Sequence, residues 1–279
     1  MEKMTIQELK RMANHIRRGI LTSVYHAGAG HPGGSLSAAE VFTWLYFREM
    51  NIDPTNPRWP DRDRFVLSKG HTAPGYYAAM AYRGYFPVEE LSTLRKLGSP
   101  LQGHPCMQHL AGVDMSSGSL GQGISAAVGM ALAGKMDKRS YRVFTLLGDG
   151  ELQEGQVWEA AMFAGHRKLD NLCVIVDNNG LQIDGKVEEV CSPYPIEDKF
   201  KAFRFHVISV LDGNDMEQVE KAFDEAKTIQ AKPVAIVLKT VKGKGISFME
   251  NQPSWHGKAP DKKEYERAML ELDKIQEAL

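Results

Sequence analysis

Arg142-Val143-Phe144-Thr145-Leu146-Leu147-Gly148-Asp149-Gly150 and Leu172-Cys173-Val174-Ile175-Val176-Asp177-Asn178-Asn179-Gly180 are two apolar runs of strand length, each ending in glycine with acid or amide residues. Continuous apolar runs of this kind mark buried strands, and residues 155–168 between them carry a helical pattern. A second cycle follows, with Phe205 to Leu211 reading as a strand, Asp215 to Ile229 as a helix and Val234 to Leu238 as a strand. This alternation predicts an α/β fold in three layers, a parallel sheet with helices on both faces. Both polar clusters then fall on one edge of the sheet, beyond the carboxyl ends of the strands, where ligands bind in such folds.

Upstream, residues 5–27 are predicted to form an amphipathic helix, with Thr5 and Glu8 as a capping box. The following Gly28-Ala29-Gly30-His31-Pro32-Gly33-Gly34 is too glycine-rich for a helix, and Ser37-Ala38-Ala39-Glu40 predicts a restart with a second capping box. Gly70-His71-Thr72-Ala73-Pro74 reads as another helix start. Residues 262–279 read as a charged surface helix. No repeat or linker divides the chain, so residues 1–279 are expected to form one domain.

The balance of 34 Lys+Arg against 35 Asp+Glu over 279 residues leaves no global field to gather nucleic acid. No apolar run approaches the ~18 residues of a transmembrane helix, so no membrane role is expected. Three scattered cysteines, Cys106, Cys173 and Cys191, make no disulfide framework, and the N-terminal residues show no apolar signal core. A cytoplasmic location is the expectation.

The chemistry lies in Gly148-Asp149-Gly150. Alone it is more often a turn after a strand. Asn179, thirty positions after Asp149, changes that reading, because one helix and one strand fit between adjacent strand ends. One carboxylate and one amide oxygen are hard ligands of the kind Mg²⁺ takes, and flanking glycines let a bulky anion approach, as in a metal diphosphate site. Four of the nine histidines, His31, His71, His104 and His256, sit beside glycine in loops that can come close to a ligand. His15, His109, His166 and His206 read as surface or satisfied core residues. Gly121-Gln122-Gly123-Ile124-Ser125-Ala126 fits a dinucleotide pattern but follows no strand, so a tight turn into a helix is the better account. Lys242-Gly243-Lys244-Gly245 is no P-loop and reads as a solvated, mobile loop leading to His256. The segment from His104 to His109 lacks paired ligand sets at zinc spacing, and no zinc is expected.

Gly148-Asp149-Gly150 with Asn178-Asn179 resembles the thiamine diphosphate motif, and the surrounding sequence resembles transketolase. The resemblance spans nearly the whole chain. It includes Gly30-His31-Pro32-Gly33, the run from Asp61 to His71, Gly103-His104-Pro105, the run from Gly118 to Gly123, and Trp255-His256-Gly257. It implies the thiamine-diphosphate-binding fold, with thiamine diphosphate and Mg²⁺, or another divalent cation such as Ca²⁺ or Mn²⁺, as cofactors. It assigns Asp149, the Asn179 side chain and the Leu181 carbonyl to the metal. His71, Gly118, Ser119, Leu120, Gly148, Gly150, Asn179 and His256, with Asp149, would contact the cofactor, while His31, His104 and His256 would face the substrate as catalytic residues. Glu154 and Glu159 resemble acids that join two cofactor sites across a subunit interface. The chain departs from many relatives at Ser119, where they carry Pro, and at Asn178, where several have Asp.

In that family a glutamate from a separate pyrimidine-binding domain completes the proton relay, and the resemblance ends before that domain. The implied protein is the N-terminal subunit of a split transketolase, working with a C-terminal partner subunit, with an α₂β₂ assembly expected. It would move a two-carbon ketol unit from a ketose phosphate to an aldose. The alternatives are a related enzyme half acting on a modified sugar or other keto substrate, and a non-catalytic scaffold subunit.

Overall fold

The structure, a computed structural model, describes residues 4–183 and 185–279. Its centre is a five-stranded parallel sheet of β1 (Arg64–Leu67), β2 (Val143–Gly148), β3 (Leu172–Asn178), β4 (His206–Val210) and β5 (Val234–Lys239). The spatial order is β1-β2-β3-β5-β4. Gly148 is in register with Asp177 across β2 and β3, so the two polar strand ends lie side by side.

Alternate side chains of each strand feed two cores, as a sheet covered on both faces requires. On one face Phe65, Leu67, Phe144, Leu146, Ile175 and Ile236 pack beneath the helices Ile6–Ala27, Ala39–Trp44, Ala73–Arg83 and Met216–Thr228. On the other, Val66, Leu147, Val174, Val176 and Val237 meet Ile124 and Val128 of the helix Gln122–Met136 and Val157 and Ala161 of Gly155–His166. Each side chain fully withdrawn from water contributes roughly 1.5–3 kcal/mol, which makes the register of β2 and β3 costly to shift.

The predicted strands and helices are present, with ends moved by one or two residues. The capping box of Thr5 and Glu8 is formed, and Gly28 ends that helix at φ 60°. Residues 1–3 lie outside the described residues. Strand β1 was not anticipated, because four residues inside a charged segment carry too little pattern.

The segment after Gly30 differs from expectation. Pro32–Ser37 is a short helix that includes Gly33 and Gly34, and the chain kinks at Ala38 before Ala39–Trp44. Gly33 serves packing there, since a Cβ would lie 2.9 Å from the Trp255 carbonyl oxygen. Ser37 does not cap Glu40. Its hydroxyl donates to Asp177 at 2.6 Å, and Glu40 pairs with Arg17 at 2.6 Å. The last helix, Lys262–Ala278, is more than a surface feature: Ala268 and Leu272 are buried, and Asn14 donates to the Leu272 carbonyl at 2.9 Å. Among the described residues no helix is long and apolar enough to cross a membrane, and the three cysteines are free.

Candidate active site

The carboxyl ends of β2 and β3 open onto a cavity of about 320 Å³. Asp149, 2% exposed, stands on its floor. One of its oxygens accepts from the Gly150 N–H at 2.8 Å and the other from the Gly180 N–H at 2.5 Å, so this carboxylate joins the loops after β2 and β3. Burial and the neighbouring Asp177 push it up to about 6.

Asp177 is fully buried and organises the second loop. It pairs with Lys69, whose side chain is as buried as its own, and it accepts from Ser37 and Thr240. Burial alone would raise its carboxyl, but Lys69 and these hydroxyls outweigh that and hold it below the usual carboxylate range. Asp177 also accepts from Asn179 Nδ2 at 3.1 Å, which orients the Asn179 amide. Asn178 has a different task, its side-chain oxygen accepting from Tyr194 Oη at 2.7 Å.

Three imidazoles, His31, His71 and His256, line the opposite wall, and the fourth, His104, stands outside the lining. His71 and His256 stack with ring centres 5.1 Å apart, and His31 meets them edge-on at 5.2 and 5.5 Å. His104 lies behind His31 at 6.5 Å. Burial drives His31 down to about 4, with Arg95, His104 and Lys242 adding to the shift. Burial and Lys242 take His256 down to about 3. His71 falls well below its ordinary value for the same reason, with Lys69 next in effect, and His104 is lowered by burial and Arg95. These rings are therefore neutral near pH 7.

Lys242 corrects the reading of residues 242–245 as a solvated loop. Its side chain is buried, and Nζ lies 2.9 Å from His256 Nδ1 and 3.2 Å from the Leu181 carbonyl oxygen. The Gly243 N–H donates to the Gly33 carbonyl at 3.0 Å and fixes the loop against the short helix. Burial lowers the ammonium to about 8, so it remains a donor at neutral pH. It holds His256 Nδ1 as the acceptor and leaves Nε2–H to donate.

Gly118, Leu120, Gly148, Gly150, Asn179 and Leu181 line the cavity with Asp149, Lys242, His31, His71 and His256. Ser119 lines a neighbouring cleft with Met115 and Gln122 instead. Glu154 reaches the cavity wall, while Glu159 is exposed on the following helix. His109 and His166 are exposed, His15 packs against Tyr82 at 5.7 Å, and His206 bonds Glu225 at 2.7 Å. The residues missed in the sequence are Lys69, Glu151, Asp177 and Lys242. A charge at the end of a wholly apolar run, as at Asp177, was the available signal.

This donor set fits a metal diphosphate. Among the described residues no three His, Cys, Asp or Glu side chains converge as a metal site. A metal at Asp149 would instead draw on one carboxylate, the Asn179 amide and the Leu181 carbonyl. The remaining positions would go to water or phosphate oxygens, which suits a hard divalent cation. On the far wall His31 Nδ1 is buried with no partner, a polar atom left for a bound group.

The family described as "Transketolase, thiamine diphosphate binding domain" matches residues 8–273. The 6-deoxy-6-sulfo-D-fructose transketolase subunit SqwG of a Clostridium species is 50% identical over 267 residues, covering 96% of this chain and 97% of that protein. An apulose-4-phosphate transketolase subunit of Phocaeicola vulgatus is 40% identical, covering 99% of this chain and 98% of that one. Human transketolase is 44% identical over 97% of this chain, which spans 43% of that protein. Among solved structures, the transketolase of Campylobacter jejuni superposes with a TM-score of 0.91 at 34% identity, covering 97% of this chain and 43% of that one.

Proposed function

The chain belongs to the transketolase family, in its thiamine-diphosphate-binding domain, and from that premise we propose that residues 1–279 form the diphosphate-binding half of a two-chain transketolase. The observation that carries this reading is the convergence of Asp149, Asn179 and Leu181 on one side of the cavity with three neutral imidazoles on the other. A scaffold subunit would have no use for that arrangement. Relatives of nearly the same length are named as subunits, which supports a second polypeptide carrying the pyrimidine-binding domain, in an α₂β₂ assembly.

Asp149, the Asn179 amide and the Leu181 carbonyl would hold Mg²⁺, with Gly118, Leu120, Gly148 and Gly150 allowing the diphosphate close approach. The cofactor supplies, when bound, a carbanion that accepts a two-carbon ketol unit. The protein's part is positioning and proton transfer. When the C2–C3 bond of a ketose breaks, its C3 hydroxyl gives up a proton, and an aldose acceptor takes one back as the new bond forms. His31 and His104, neutral near pH 7, accept and return that proton. His256, with Nδ1 held by Lys242, directs Nε2–H at oxygen carrying developing negative charge. Closing this wall against water strengthens each of these interactions.

The named substrates of the two subunit relatives, a sulfo-sugar and apulose 4-phosphate, favour a second, narrower reading in which the donor is a modified ketose. The test assays this chain alone, and with a candidate C-terminal subunit, for ketol transfer with thiamine diphosphate and Mg²⁺. Fructose 6-phosphate and 6-deoxy-6-sulfofructose serve as alternative donors. Transfer only in the mixture is expected. Full activity of this chain alone would overturn the two-chain reading, and equal use of both donors would overturn the narrower one.

A further inference from the structure

Glu151 lies where the segments that frame the cavity meet. Its side chain is buried, at 2% exposure. One oxygen accepts from the Gly121 N–H at 2.9 Å and from Ser68 Oγ, and the other accepts from the Gly148 N–H at 3.1 Å. Gly121 closes the loop that begins at Gly118, Ser68 follows β1, and Gly148 ends β2. A single carboxylate therefore ties three segments that are distant in sequence.

The loop is already seated on the segment after β1 by close packing. A Cβ on Gly123 would lie 2.5 Å from Ser68 Cα, and one on Gly70 would lie 2.8 Å from Gly118 N. Toward the Asp149 segment the loop packs through Gly121, where a Cβ would lie 2.7 Å from Glu154 Cβ. Glu151, itself in the Asp149 loop and tied back to Gly148, adds the directed polar link to Gly121 and Ser68 that packing alone does not supply. A carboxylate suits the task because it accepts only, and all three partners are donors. Glutamine would turn an N–H₂ toward at least one backbone N–H, and alanine would leave all three buried donors unpaired.

We propose that Glu151 is a positioning residue that locks the Gly118–Gly121 loop to the Asp149 loop, fixing the distance between the wall that receives the cofactor and the residue that holds its metal. The inference rests on the metal-diphosphate reading of the cavity. Glu151 acts through Gly121 and Gly148, and both of its oxygens are already occupied by donors.

Hydrogen exchange on the full chain, followed by mass spectrometry, separates this role from general stabilisation. In Glu151→Gln, exchange over residues 117–123 should accelerate about tenfold or more, as expected for loss of a charge-assisted hydrogen bond. Residues 172–178 of β3 should keep their protection. Affinity for thiamine diphosphate with Mg²⁺, by calorimetry, should fall by a similar factor. Should Glu151→Gln fail to fold, Ser68→Ala removes one donor and leaves both backbone ties, and a smaller acceleration confined to residues 117–123 is expected. Unchanged exchange over 117–123 in a folded variant, or equal acceleration in β3, overturns the proposal. Failure of the native chain to bind thiamine diphosphate with Mg²⁺ overturns the reading of the cavity. Native binding with unchanged exchange in the variant overturns this inference alone.

Discussion

Replacing His31 by glutamine should make the protein less sensitive to acid. His31 is neutral in the fold because burial holds it at about 4, with Arg95, His104 and Lys242 nearby. In the unfolded chain an imidazole titrates near its ordinary value of about 6.5. A base with a depressed folded pKa contributes stability above about pH 6.5 and loses it as pH falls toward about 4, because the unfolded chain takes up a proton that the fold refuses. The ideal linkage between these two values is about 2 kcal/mol at pH 5 relative to pH 8. His31 lines a cavity open to water, which screens the charge, so about 1 kcal/mol is the expected size. The assay is urea unfolding of the native chain and of His31→Gln at pH 8, 6 and 5, without cofactor or metal. Asp149, raised to about 6, opposes the acid sensitivity in both proteins, and His71 and His256 add to it in both, slightly less in the variant because His31 helps to lower them, so the difference reads His31 together with its effect on these two rings. The native chain should lose about 1 kcal/mol more than the variant between pH 8 and pH 5. Parallel losses would refute the reasoning, since they would mean that His31 takes its proton as readily in the fold as outside it.

Asp149→Ala should abolish Mg²⁺-dependent binding of thiamine diphosphate in calorimetry while far-UV circular dichroism stays unchanged; retained binding would remove the metal assignment. Gly165→Ala places a Cβ 1.8 Å from the Phe203 carbonyl oxygen, and a thermal melt should show a loss of about 1–3 kcal/mol or more, as for other overpacked sites. Lys242→Met removes the cation that lies beside His256, so the His256 ring, followed by NMR, should titrate at a higher pH, and an unchanged titration would argue that burial alone sets its value. Asp177→Asn should cost about 3–5 kcal/mol in urea unfolding, because it leaves Lys69 buried without its carboxylate.

Strands β2, β3 and β5 were legible because a strand buried on both faces must be apolar throughout, and runs such as Leu172 to Val176 can hardly be anything else in a chain of this composition; β4, an edge strand with Ser209 exposed, was legible only from the alternation of strand and helix around it. The site's location followed from the same runs, since parallel strands bring their polar ends to one edge. Strand β1 escaped notice because an edge position needs only four residues, Arg64–Leu67, and asks little of them. The short helix Pro32–Ser37 was hidden by glycine, whose poor helix propensity is overridden where neighbours such as the Trp255 carbonyl leave no space for a side chain.

The sequence by itself determined the α/β order, the family resemblance and the residue types able to hold a metal diphosphate. These are properties of local pattern and motif, and they need no partner distant in the chain. The tertiary structure decided which charges are buried and what each one does. Lys242 looks like a solvated lysine until it is set beside His256 and the Leu181 carbonyl. Lys69 and Asp177 become an ion pair only when β1 and β3 are brought into one sheet. Glu151 acquires its three donors from Ser68, Gly121 and Gly148 in the same way. The physical reason is desolvation: a charged side chain's protonation and partners depend on how much water the fold removes and what it puts in its place.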